Sequence, residues 1–114
     1  VRFSRIYLQS VLQNLISNAI KYRDLDKKSF ISIKTQVENG QKVLFFADNG
    51  VGMDLKRHGK DIFKLYKRLH RNLSGKGMGL FLVKTQLESL GASIEVSSEL
   101  GQGTTFKITF DNYE

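Results

Sequence analysis

The sequence predicts a two-layer α/β sandwich, a sheet of hairpins covered on one face by two helices. Three observations predict it. Residues 4–23 and 80–90 repeat apolar side chains at helical spacing. Residues 30–47 and 93–110 place strand-like apolar runs on either side of turn signals. The chain has no proline and no low-complexity tract, so nothing in it reads as an internal linker. At 114 residues, 40% hydrophobic and 25% charged, it fits one domain burying roughly 65% of its unfolded surface.

The elements follow in order. In the first helix Leu8, Val11, Leu12, Leu15, Ile16, Ala19 and Ile20 gather on one face. The stretch "FISIKTQV" alternates, with Ile31, Ile33 and Val37 on one side, as a half-buried strand should. Asn39-Gly40 is the hairpin signal, because both residues accept the positive φ of a tight turn. "KVLFFAD" is apolar on both faces and therefore central. Residues 56–70 read as one or two short helices in a polar stretch. The next helix turns Leu80, Val83, Leu87 and Leu90 inward and stops at Gly91. The last hairpin points Ile94, Val96, Phe106, Ile108 and Phe110 into the core and Glu95, Ser97, Lys107 and Thr109 outward.

Composition narrows the function. There is no cysteine, so neither a disulfide scaffold nor a thiolate metal site is available. No apolar run approaches the ~20 residues of a membrane span, and "VRFSRIYL" is no signal peptide; the sequence reads as a soluble domain. The net charge of +7 suggests nucleic acid at first sight. Between Leu55 and Lys76, however, Lys56, Arg57, Lys60, Lys64, Lys67, Arg68, Arg71 and Lys76 stand against Asp61 alone, which accounts for the entire excess. One basic segment between two glycine clusters, with no aromatic platform beyond Tyr66, places nucleic acid last among the readings.

Four clusters carry possible chemistry. With about 100° per helical residue, Asn14, Asn18 and Lys21 form a stripe beside the apolar face, with Tyr22 next to it. Amide oxygens suit a hard cation and lysine suits phosphate, though a solvated helix edge would look the same. "DNGVGMD" (48–54) puts Asp48 at a strand end, ahead of Gly50 and Gly52. It is either a plain turn or a place where a flat ligand meets the backbone, with Asp48 accepting from an amino group. "SGKGMGL" leads glycines 75, 77 and 79 and Leu80 into a helix N-terminus, where free N–H groups attract phosphate. Its spacing fits neither the dinucleotide fingerprint nor the P-loop, and a lone glycine-rich turn proves little. "ELGQGTTF" is a hairpin loop with Gly101 and Gly103 supplying positive φ.

In this order, "LQNLISNAIKYR", "DNGVGMD", "IFKLYKRLH", "GKGMGL" and "LGQGTTF" resemble the N, G1, F, G2 and G3 boxes of the ATP-binding catalytic domain of sensor histidine kinases. The wider family includes type II topoisomerases, Hsp90 and mismatch-repair ATPases. The resemblance covers nearly the whole chain and implies the Bergerat fold, a mixed, mostly antiparallel sheet under helices. It implies that residues 1–114 are one domain of a larger kinase, with the basic stretch at about 55–76 as the ATP lid.

It further implies ATP and Mg²⁺ as cofactors. Asp48 would read the adenine amine, Gly50 and Gly52 would border the base, and Thr104 would support it. Asn18 would hold Mg²⁺, and Asn14 would assist catalysis. Lys21 and Tyr22 would face phosphate and ribose; Lys67, Arg68, Gly75, Gly77, Gly79 and Leu80 would surround the phosphates. The implied partners are a dimerisation domain carrying the phosphoacceptor histidine and a response-regulator receiver domain. The parent would be a homodimer, with this domain cytoplasmic and touching neither membrane nor nucleic acid.

Three departures qualify the resemblance. The topoisomerase-like relatives have a glutamate where Asn14 stands, and an amide is no general base, so vigorous hydrolysis is not expected. The chain begins almost at the first box, so a strand usual ahead of it is shortened or absent. His58 and His70 both fall in the lid region, in no acceptor-like setting, so the domain should not phosphorylate itself. A stand-alone Ser/Thr kinase of the anti-sigma type, or a nucleotide-sensing module without transfer, are the alternative readings.

Overall fold

The computed structural model describes residues 5–58 and 79–110. Its element order is α1 (Arg5–Lys21), β1 (Ile31–Glu38), β2 (Gln41–Asp48), α2 (Leu55–His58), α3 (Gly79–Ser89), β3 (Ala92–Glu99) and β4 (Gly103–Phe110). The strands form one sheet in the order β1-β2-β4-β3, and every pairing among the described residues is antiparallel. The expected central strand is β2, hydrogen-bonded on both sides. Both hairpin turns fall where glycine permits them. Asn39 and Gly40 take φ of 52° and 79°, joining β1 and β2 in the register Glu38↔Gln41.

Pairing sorts the side chains into rows across the sheet, since directly opposed residues share a face. Ile33, Phe46, Phe106 and Val96 make one row on the helix side. Thr35, Leu44, Ile108 and Ile94 make the next. Against these rows α1 buries Val11, Leu15 and Ala19, and α3 buries Leu80, Val83 and Leu87, all in a single core cluster. The opposite face carries Lys34, Glu95 and Lys107, with Lys107 Nζ 3.1 Å from Glu38. Val43 and Phe45 of the central strand also face this side, flanked by these polar residues, and the described elements form two layers.

Two expectations need correction at the β1 edge. Ile31, Ile33 and Val37 share the helix-side face as predicted, but are 39%, 50% and 60% exposed rather than half-buried. Ile16 and Ile20, assigned to the buried face of α1, are also exposed. The physical reason is width. Two helices side by side lie over β2, β4 and β3, and periodicity reports which way a side chain points but not whether anything lies opposite. The α3 helix ends as expected, with Gly91 at φ 78°.

Leu87→Ala should therefore lower stability by about 2–5 kcal/mol, seen as a lower urea midpoint at unchanged m-value. Ile33→Thr should stay within about 0.5 kcal/mol of wild type. Equal losses in the two variants would show that β1 is covered in solution.

Candidate functional site

The apolar rows end in a polar one. Ile31, Asp48, Thr104 and Ser98 lie opposite one another across β1, β2, β4 and β3 on the helix side. Thr104 is the buried polar residue recorded in the described core. Ser98 Oγ lies 2.8 Å from Thr104 Oγ1. Asp48 is half-buried, and Gly50 N–H donates to its Oδ1 at 2.8 Å. Removal from water pushes the Asp48 carboxyl above its ordinary value, while donation from the backbone N–H groups of Gly50 and Thr104 works against that rise.

The loop that follows Asp48 is held from three sides. Val51 N–H donates to Tyr22 O at 2.9 Å, tying the loop to the end of α1. Gly101 N–H donates to Val51 O at 2.8 Å, and Met53 N–H donates to Ser98 Oγ at 2.8 Å, tying it to the second hairpin. The Asn49 amide donates to Lys28 O and accepts from Phe30 N–H, both at 2.9 Å, clamping the α1–β1 connection. Lys27 Nζ closes the circle by donating to Gly101 O at 2.7 Å.

The glycines here are packed tightly against the protein's own backbone. A Cβ on Gly52, at φ 78°, would sit 2.1 Å from Glu99 O. One on Gly50 would sit 2.5 Å from Tyr22 O. What comes close to this backbone is the protein's own backbone. The room a side chain would need is filled by the neighbouring turn and helix end, so these glycines set the shape of the site.

Beside this row stand the helix residues. Asn14 and Asn18 are partly buried, and Asn14 Nδ2 donates one of its two N–H groups to Ser10 O at 2.9 Å. Tyr22 is partly buried, and desolvation pushes its phenol up to about 12, so it stays a neutral hydroxyl at physiological pH. Lys21 Nζ lies 5.8 Å from the centre of the Tyr22 ring. Leu80 points into the core, so any part it has in a site passes through its backbone. Gly79 opens α3, whereas Lys67, Arg68, Gly75, Gly77, His70 and the lid beyond His58 lie outside the described residues.

No cluster of three acidic, histidine or cysteine ligands occurs among the described residues. Amide oxygens from Asn18 and Asn14 suit Mg²⁺ that arrives on a polyphosphate and keeps most of its water, rather than an ion held by a dedicated cage. A cavity of about 180 Å³ lies between α1 and β1 and reaches the site at Asp48 and Gly50; Ala19, Ile20, Phe30 and Ile31 line the rest. It is smaller than the ~300 Å³ at which ligand pockets begin, and neither Asn14, Asn18 nor Thr104 lines it.

Sequence reasoning missed Asn49, Ser98 and Lys27. Asn49 had been read as a turn residue; its partners lie 19 and 21 positions away, and no local spacing reveals them.

The sequence and the fold are similar to those of known proteins. The family model for histidine kinase-, DNA gyrase B- and HSP90-like ATPases matches residues 4–114. The methanogenesis regulatory histidine kinase FilI of Methanothrix harundinacea is 35% identical over 109 residues, 96% of this chain and 12% of that protein. The signal transduction histidine-protein kinase ArlS of Staphylococcus aureus is 37% identical over 98 residues, 83% of this chain and 21% of that protein. The crystal structure of full-length ShkA in complex with AMPPNP superposes with a TM-score of 0.76 at 24% identity, over 92% of this chain and 21% of that one. The chain belongs to the family of histidine kinase-, DNA gyrase B- and HSP90-like ATPases, on the branch of sensor histidine kinase catalytic domains. It spans about an eighth to a fifth of the length of these relatives.

The Asp48 environment makes a prediction of definite sign. A carboxyl whose folded pKa is raised favours folding while protonated, and that contribution is lost as pH climbs through the folded value. Asp48→Asn should thus melt higher than wild type at pH 7 without ligand. The gap should close as pH falls below the ordinary aspartate value of 3.8. A variant that melts lower at pH 7 would mean that the N–H donors outweigh desolvation.

Proposed function

We propose that this domain binds Mg·ATP and positions its γ-phosphoryl group for transfer to a histidine on a separate dimerisation domain. The observation that carries the reading is the Asp48–Thr104 pair, two polar side chains directly opposed at the end of the helix-side sheet face, ahead of the buried Phe46 and Phe106. Asp48 accepts from the adenine amine, and Thr104 supports the same edge of the base. Tyr22 packs near the ribose and Lys21 faces phosphate, joined by Lys67 and Arg68 of the lid and by the glycines ahead of α3. Bound Mg²⁺ supplies charge neutralisation on the triphosphate. The AMPPNP bound by ShkA supports a nucleotide at the same fold.

The imidazole nitrogen of the acceptor forms a bond to Pγ as the Pγ–O bond breaks and ADP leaves. The protein's part is orientation and electrostatics. Asn14 orients and removes no proton, since an amide is not a base. The parent is a homodimeric kinase that passes the phosphoryl group to a response regulator. No helix among the described residues is long and apolar enough to cross a membrane, and the use of ATP supports a cytoplasmic location.

Calorimetry with Mg·ATP tests the site. Asp48→Asn and Asn18→Ala should each weaken binding at least about tenfold, because each leaves a ligand group unmatched. Wild-type affinity in both would refute the assignment. With γ-labelled ATP the domain should leave itself unlabelled and slowly label an added acceptor hairpin, since the tether and its effective concentration are missing. Good ATP binding without transfer to any cognate hairpin would favour the nucleotide-sensing alternative.

A further inference from the structure

We infer that Ser98 is a positioning residue that fixes which way the Thr104 hydroxyl points and thereby helps to set the base specificity of the site. The inference rests on the nucleotide reading of Asp48 and Thr104. A serine hydroxyl has one proton to give and two lone pairs to receive with. Ser98 Oγ donates to Gly103 O at 2.8 Å, which spends its proton. It accepts from Met53 N–H at 2.8 Å. The third neighbour at 2.8 Å, Thr104 Oγ1, must then be the donor. Ser98 is saturated, and the Thr104 proton is turned away from Asp48 toward β3.

What remains of Thr104 on the Asp48 side is acceptor only. The carboxylate of Asp48, directly opposite in the β2–β4 register, is also an acceptor. Two acceptors side by side recognise a group that donates, directly or through one water. The 6-amino group of adenine donates; the 6-oxo group of hypoxanthine and guanine accepts and meets lone pairs on both residues. Ser98 touches none of the base, so its effect passes through Thr104. The same hydroxyl anchors Met53 in the loop after Asp48 and Gly103 at the start of β4, so the two walls of the base site share one hinge-pin on β3.

The test measures the affinity of the full chain for Mg·ATP and Mg·ITP, which differ at the 6-position and in the hydrogen that hypoxanthine carries on N1, in wild type, Ser98→Ala, Ser98→Thr, Thr104→Val and the Ser98→Ala/Thr104→Val double variant. Wild type should prefer ATP. Ser98→Ala frees the Thr104 proton to donate to a 6-oxo group, so the ATP:ITP ratio should narrow at least about fivefold. Ser98→Thr keeps the hydroxyl and should keep the ratio. In the Thr104→Val background, Ser98→Ala should no longer change the ratio. If Ser98→Ala does not fold, Ser98→Cys, a near-isosteric change to a weak S–H donor, should narrow the ratio in the same direction.

Equal loss of ATP and ITP affinity on removing the hydroxyl, or an unchanged effect in the Thr104→Val background, would reduce Ser98 to a structural residue and overturn the inference. A wild-type chain that binds neither nucleotide would instead overturn the nucleotide reading, and this inference with it.

Discussion

The site depends on how closely the backbone after Asp48 approaches its two neighbours. At Gly52 the chain comes so near the carbonyl of Glu99 that no Cβ fits, and at Gly50 the same holds against Tyr22 O. Around these contacts the hydrogen bonds Val51–Tyr22, Gly101–Val51 and Met53–Ser98 bind three distant parts of the chain into one wall. Helix end, strand end and hairpin turn are thereby held in fixed relation. The side chains proposed to hold the nucleotide and its metal, Asn18, Asp48 and Thr104, each sit on one of these parts. Glycine at 50 and 52 is costly in unfolded-state entropy, and it is kept because only glycine lets three backbones meet there.

The core supplies the other half of the arrangement. Behind the polar row stand two apolar rows, with Phe46 and Phe106 fully buried next to Asp48 and Thr104 along their strands. This apolar backing desolvates Asp48 and so sharpens its hydrogen bonding toward a ligand. The same backing makes its charge unfavourable in the empty protein. Under the proposed function, stability and nucleotide binding pull in opposite directions at this residue.

Much of this was legible in the sequence. Every described strand and long helix lies within a few residues of its expected place, because alternation, helical spacing, Asn39-Gly40 and Gly91 are local signals with local causes. The order of the glycine clusters identified the family. Three things were not legible. The exposure of Ile31, Ile33 and Ile20 depends on what lies opposite them, which periodicity cannot report. The purpose of Gly52 depends on Glu99, which is 47 positions away in the chain. Ser98 and Asn49 act through hydrogen bonds to segments remote in sequence, and in the sequence they look like an ordinary strand serine and an ordinary turn residue.

The central claim is that nucleotide binds over the Asp48–Thr104 end of the sheet on the Asn18 side of α1, and not in the small cavity on its Ile20 side. Amide chemical shifts recorded while Mg·AMPPNP is titrated into the protein test this most directly. The account predicts the largest changes at Asn18, Gly52 and Thr104, with Phe30 and Ile33 nearly still. Changes concentrated at Ile20, Phe30 and Ile31, with Gly52 and Thr104 unmoved, would contradict it.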